Sequence, residues 1–308
     1  MDWYSTEIDK LIRQALREDI GAGDATSEAT IPATVVERAR IIARAPLVCA
    51  GLPIAQRIFH ELDPEMEIQV LANEGDTVDK RRALIKCSGN ARAILAGERT
   101  ALNFVSHLSG IATLTARFVK RLAGTSTKIR DTRKSTPGLR ALEKYAVRMG
   151  GGTNHRFGLY DAILLKENHI ALSGGIKAAL ERAYAFASLR TARAGVSTYE
   201  STTQQSQTTN SSLPIQIEVR DEREVREALE AGAEALLLDN MTPEAAKSCV
   251  ILARKIRPDC VVEISGGITL DNVRDYAETG ADFLASGTLT HSAPAANLSL
   301  LVDSIDEK

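Results

Sequence analysis

The densest group of chemistry-bearing residues lies in Ile129-Arg-Asp-Thr-Arg-Lys-Ser-Thr-Pro-Gly-Leu-Arg140, where Arg130, Arg133, Lys134 and Arg140 crowd one short stretch. A run of this kind alone reads as a solvated charged loop. Its setting argues for more: it follows an apolar run, and Pro137-Gly138 forces a turn before a helical pattern begins. Next comes Gly150-Gly-Gly-Thr-Asn-His-Arg156, in which three glycines let the backbone turn sharply or pass close to a ligand, ahead of His155 and Arg156. Lys166-Glu-Asn-His169 closes another apolar run, and Glu218 and Asp239 close two more. Two carboxylates one repeat apart, opposite a set of cations, suit a metal site or the recognition of hydroxyls. Ser265-Gly-Gly267 and Ser286-Gly287 end the remaining runs and can present backbone N–H groups to a phosphate. The ligand implied is a polyanion with hydroxyls that arrives with a divalent cation, as a sugar phosphate or diphosphate does.

The elements that must position these groups follow a repeating pattern. Six strand candidates, Thr127–Asp131, Asp161–Lys166, Leu213–Val219, Ala235–Asp239, Val261–Ser265 and Phe283–Ser286, alternate with helical segments at Leu139–Met149, Ile176–Arg190, Glu222–Ala231, Pro243–Lys255 and Leu270–Thr279. Strand–helix alternation predicts parallel βαβ units. In such folds ligands meet the carboxyl ends of the strands, so the terminal residues Asp131, Lys166, Glu218, Asp239, Ser265 and Ser286 are expected around a single mouth.

Upstream, Ile8, Leu11, Ile12, Ala15 and Leu16 predict an amphipathic helix ending near Gly21, followed by a loop at Gly21-Ala-Gly-Asp24. Apolar runs at Ala39–Ala43, Met66–Leu71 and Ala83–Cys87, a helix at Leu52–Leu62 and a hairpin corner at Asn73-Glu-Gly-Asp76 predict a small α+β domain on an antiparallel sheet. Ile94–Leu122 reads as a long helix, broken or kinked near Gly110, that bridges to the strand–helix repeats. Thr191–Ser212 is rich in Ser, Thr and Gln and is expected to be a disordered surface insertion.

Composition narrows the function classes. The chain has 308 residues and a formal net charge of −2, which offers no global attraction to nucleic acid or an anionic membrane. Cys49, Cys87, Cys249 and Cys260 are scattered, so buried thiols are expected rather than a zinc site or a disulfide frame. No apolar run approaches the roughly 20 residues that span a bilayer, and no signal pattern opens the chain, so a cytoplasmic address is expected.

Seven stretches in order then carry a resemblance: Gly97-Glu-Arg-Thr-Ala-Leu-Asn103, Asp131–Arg140, Gly151–Arg156, Leu165–His169, Leu238-Asp-Asn240, Glu263-Ile-Ser-Gly-Gly267 and Ser286-Gly-Thr-Leu-Thr-His291. The set resembles the quinolinate phosphoribosyltransferases. The resemblance implies an N-terminal α/β sandwich domain over 1–111, rejoined by 292–308, and an open six-stranded α/β barrel over 112–291 with the polar insertion at 191–212. It implies an enzyme joining quinolinate to phosphoribosyl pyrophosphate with Mg2+, yielding nicotinate mononucleotide, pyrophosphate and carbon dioxide in NAD biosynthesis. It implies homodimers with shared sites, and hexamers in some members.

The same resemblance assigns quinolinate to Arg133, His155, Arg156 and Lys166, with Arg99 supplied by the partner subunit. It places Lys134, Glu218 and Asp239 around the ribose, diphosphate and magnesium, with Lys166 also counted as catalytic. It seats the 5-phosphate on Ser265, Gly266 and Gly267 with Ser286, Gly287 and His291. Two features depart from the family pattern: Gln216-Ile-Glu218 stands where Glu-Val-Glu is usual, and the insertion is unusual. From the residues themselves, a related transferase for a different acid and a non-catalytic sugar-phosphate binder stay open.

Overall fold

The computed structural model describes residues 1–194 and 213–303. Helix α1 (Thr6–Ile20) buries Ile8, Ile12 and Leu16 and stops at Gly21, whose φ is +56°. Each such side chain, fully buried, stabilises the fold by roughly 1.5–3 kcal/mol. The sequence pattern misses α2 (Ala25–Thr30), a short helix begun by Asp24, whose carboxylate accepts the N–H groups of Thr26 and Ser27. There follow β1 (Val36–Ala43), β2 (Leu47–Val48), α3 (Leu52–Leu62), β3 (Glu67–Val70), β4 (Thr77–Val78), β5 (Ala83–Asn90) and α4 (Ala91–Arg121). The rest comprises β6 (Lys128–Arg130), α5 (Arg140–Met149), β7 (Ile163–Leu165), α6 (Glu167–Ser173), α7 (Ile176–Ala194), β8 (Ile215–Val219), α8 (Glu222–Glu230), β9 (Ala235–Asp239), α9 (Pro243–Ile256), β10 (Val261–Ser265), α10 (Val273–Ala277), β11 (Phe283–Ala285), α11 (Thr288–His291) and β12 (Leu298–Val302).

These elements form two compact units. The first comprises Met1–Val119, Lys134–Thr153 and Gly287–Lys308; the second comprises Lys120–Arg133 and Asn154–Ser286. In the first, an antiparallel sheet has the order β12-β1-β5-β3, and β2 pairs with β4. The turn at Asn73–Asp76 is tight, closed by the Asp76 N–H on the Asn73 carbonyl. It is not a hairpin corner, because β3 pairs with β5 while β4 pairs with β2.

Helix α4 also differs from expectation: it runs unbroken through Gly110. Glycine is needed there for space. A Cβ at Gly110 would lie 2.2 Å from the Pro294 carbonyl oxygen, so the returning chain packs directly on the helix backbone. Helix α5 belongs to this unit as well. The Tyr145 ring meets Trp3 edge-on at 4.8 Å, and buried Glu143 takes the His107 ring nitrogen at 2.9 Å.

The second unit is a six-stranded parallel sheet in the order β6-β11-β10-β9-β8-β7. Read cyclically this is chain order, the arrangement of an α/β barrel left open between β6 and β7. Its register sorts side chains by parity. Ile129, Ile217, Leu236, Leu238, Ile264 and Leu284 share one face and are buried. The alternate residues Arg130, Glu218, Asp239, Glu263 and Ser265 share the other. Helix α7 reaches Ala194, so residues 191–194 of the expected insertion are helical; its remainder lies outside the described residues. Among the described residues no helix is long and apolar enough to cross a membrane. The four cysteines are buried and free.

Replacing Gly110 by Ala is expected to lower stability by about 1–3 kcal/mol through overpacking against the 294 peptide. Denaturant unfolding measures this, and an unchanged midpoint would refute the close-packing account of Gly110.

Candidate active site

The polar face of the parallel sheet gathers Glu218, Asp239 and Ser265, with Lys166 paired to Glu218 at its edge. Glu218 ends the inward run of β8 and is buried; Asp239 lies two positions further along on neighbouring β9, beside Ser265 on β10. Lys166 follows β7 and begins α6. Its ammonium is half exposed and meets the Glu218 carboxylate at 2.9 Å. Its backbone N–H donates to the His169 ring at 3.1 Å, which fixes the chain where the lysine leaves the strand.

Past β6, the chain enters the cationic loop. Thr136 to Leu139 forms a turn closed by the Leu139 N–H, with Gly138 at φ +81°. The Thr136 N–H donates to Glu143, and Arg140 donates to the Ser135 hydroxyl at 2.9 Å. The turn needs proline and glycine for their backbone angles, as the sequence predicts.

Gly150 and Gly152 are required by packing, and Gly151, at φ +84°, by the sharp turn the sequence predicts. A Cβ at Gly150 would meet the Ala112 carbonyl at 2.4 Å, and one at Gly152 would meet Thr115 at 2.8 Å. Both lie against α4 within the first unit. After them Asp131, fully buried, accepts the Asn154 side-chain amide and the His155 N–H, the latter at 2.9 Å. Arg156 donates to the Ala162 carbonyl at 2.9 Å. Burial, and then the nearby charge of Arg133, push the Arg156 guanidinium below its ordinary pKa.

The strand-end residues do not all join one mouth. Asp131 and Ser286 fall one residue beyond Arg130 and Ala285, on the other parity. Asp131 holds the Asn154 side chain and the His155 N–H, and the Ser286 hydroxyl is buried on the Ile268 carbonyl at 2.9 Å. Ser265-Gly-Gly267 turns sharply, with Gly266 at φ +100° and Gly267 at +65°. Asn240, itself at φ +52°, fills the space above Gly266.

Four predicted residues belong to the first unit: Arg99, exposed on α4, and Lys134, Gly287 and His291. The last three meet: the Lys134 chain and the His291 ring both lie about 3 Å from where a Gly287 Cβ would stand, and Thr290 donates to the Lys134 carbonyl.

Glu263, not singled out as a site residue, is fully buried on the polar face. Arg130 reaches it at 2.9 Å and stacks on the Phe283 ring, while the His155 Nε2 lies 3.4 Å from its other oxygen. Its signal was the alternation Glu263, Ser265 within one quoted stretch. No cluster of three or more His, Cys, Asp or Glu suited to a metal occurs among the described residues.

Residues 24–109 match the family model described as quinolinate phosphoribosyl transferase, N-terminal domain, and residues 111–206 and 190–301 match its C-terminal domain. A probable nicotinate-nucleotide pyrophosphorylase (carboxylating) of Synechocystis sp. is 40% identical over 299 residues, covering 96% of this chain and 92% of that protein. The nicotinate-nucleotide pyrophosphorylase (carboxylating) of Mycobacterium leprae is 40% identical over 293 residues, covering 94% and 95%. The solved structure of the nicotinate-nucleotide pyrophosphorylase from Francisella tularensis superposes with a TM-score of 0.85 at 35% identity, covering 96% of both chains.

A Gly266→Ala side chain would lie 2.1 Å from the Asn240 side-chain oxygen in a left-handed backbone. A loss of about 1–3 kcal/mol in stability is expected, read as a lowered unfolding temperature. A wild-type unfolding temperature would show that the turn relaxes freely.

Proposed function

We infer how this site works from one premise: the chain belongs to the quinolinate phosphoribosyltransferase family, full-length relatives included. It is a nicotinate-nucleotide pyrophosphorylase (carboxylating), converting quinolinate to nicotinate mononucleotide in NAD biosynthesis. The co-substrate is phosphoribosyl pyrophosphate. The observation that carries the residue-level reading is the Lys166–Glu218 pair at 2.9 Å on the sheet face that also bears Asp239.

Quinolinate is a dicarboxylate, and guanidinium forks pair with carboxylates in two parallel hydrogen bonds. Arg133 and Arg156 take that role. Glu218 and Asp239 face the ribose, accepting its hydroxyls and stabilising the positive charge that grows at the anomeric carbon as the pyridine nitrogen displaces pyrophosphate. The Lys166 ammonium, held by Glu218 at 2.9 Å, stands beside the pyridine.

Once the ring nitrogen is quaternary, the adjacent carboxylate leaves as carbon dioxide, its electron pair held next to the cation. Lys166 is positioned to return a proton to that carbon. The cluster of Lys134, Gly287 and His291 is suited to phosphate oxygens, as is the glycine turn after Ser265.

Two carboxylates without a third protein ligand suit Mg2+, which binds through one or two carboxylates and completes its shell with water and substrate phosphates. Asp239 and Glu218 would hold it, and the ion would supply charge neutralisation to the diphosphate. The active assembly is a homodimer with shared sites, in which Arg99 of the partner subunit reaches the quinolinate.

Incubating the protein with quinolinate, phosphoribosyl pyrophosphate and Mg2+ is expected to give nicotinate mononucleotide; folded protein that turns over nicotinate in preference would overturn the substrate assignment. Arg133→Ala is expected to lose at least about a hundredfold in kcat/KM, since removing a charge contact to a transition state costs roughly 3 kcal/mol. Near-wild-type kinetics would take Arg133 out of the site. Arg99→Ala and Lys166→Ala subunits, each inactive, are expected to regain activity on mixing; silence despite demonstrated subunit exchange would count against sharing.

A further inference from the structure

Two groups of the protein hold Arg156 where it lies. The Ala162 carbonyl restrains one amino group. The backbone of Arg156 has a second restraint: its N–H donates to the His155 Nδ1 at 2.7 Å. A nitrogen that accepts carries no proton, so the neutral His155 ring bears its proton on Nε2. That nitrogen lies 3.4 Å from Glu263 Oε1, and the His155 side chain is only 11% exposed. Glu263 is fully buried, Oε1 makes no hydrogen bond among the described residues, and the His155 imidazole faces it. Its other oxygen is anchored by Arg130 at 2.9 Å, and Arg130 is stacked on Phe283.

We propose that Glu263 is a positioning residue: its buried carboxylate, anchored by Arg130, fixes the ring of His155 and, through that ring, the backbone from which Arg156 reaches the substrate carboxylate. This rests on the reading of Arg156 given above. It gives His155 the task of holding the Arg156 backbone, one ring nitrogen on that N–H and the other toward Glu263. A carboxylate suits the position because it can only accept from Nε2–H. A glutamine could turn its amide donors toward that N–H and leave the ring without a fixed orientation. Binding groups must hold their aim to within about 0.5 Å to keep their effect, so a loosened ring weakens Arg156 without removing it.

A double-mutant cycle tests the proposal, with steady-state kinetics on Glu263→Gln, His155→Ala and the combination. Glu263→Gln is expected to raise KM for quinolinate about tenfold while KM for phosphoribosyl pyrophosphate stays within about twofold, and His155→Ala is expected to do the same. The combination is expected to be no worse than either single variant, because both act through one contact. If Glu263→Gln fails to fold, since it leaves the Arg130 charge buried alone, Arg130→Met with Glu263→Gln removes both charges, and the same comparison is made with and without His155. Losses that multiply, or a rise in KM confined to phosphoribosyl pyrophosphate, overturn the role of Glu263 and leave the transferase reading intact. Absence of turnover by the unmodified protein sinks that reading instead.

Discussion

Everything in the second unit depends on the register of its parallel strands. Because side chains alternate along a strand, one fixed pairing sends Ile217, Leu236, Leu238, Ile264 and Leu284 to one face and Glu218, Asp239, Glu263 and Ser265 to the other. A slip of one residue in β8, β9 or β10 would bury a carboxylate among aliphatic side chains and turn an aliphatic residue to the polar side. The apolar layer therefore does more than stabilise the sheet: it makes the arrangement of the charged groups the only affordable one. Chemistry and stability are settled by the same pairings.

Charge on that face is held in pairs of unequal burial. Glu263 is fully enclosed with Arg130, and Glu218 nearly so with a half-exposed Lys166. An enclosed pair gains little net stability over an apolar one but is costly to break by halves. The inner pair is thus suited to holding geometry. The outer pair, with its lysine open to solvent, is free to exchange partners.

Much of this was legible in the sequence. Ala235–Asp239 and Val261–Ser265 are strands over the expected residues, because a short apolar run with a polar last residue has few other readings. Lys166, Glu218 and Asp239 stood out for the same reason. What escaped depends on partners distant in the chain. Gly110 reads as a helix breaker by propensity, yet it is the residue on which the 294 peptide lies. The glycines at 150 and 152 look like a ligand loop but fit the helix backbone and side chains of α4. Asp131 and Ser286 appeared to end their strands like the others, but parity is decided by pairing, which no single stretch displays. The proximity of Arg133 and Arg156, and the enclosure of Glu263, are likewise properties of the folded chain.

Strand β12 pairs with β1 along five consecutive positions, from Ala39 with Val302 to Ala43 with Leu298. During synthesis, β1 leaves the ribosome long before its neighbour exists. The nascent sheet must wait with that edge unpaired while some 250 further residues are made, roughly 13–50 s at 5–20 residues per second. An open edge is a template for foreign strands. Nascent chains crowded on one message, rather than the finished protein, are therefore where this fold is most exposed to mispairing with its own copies.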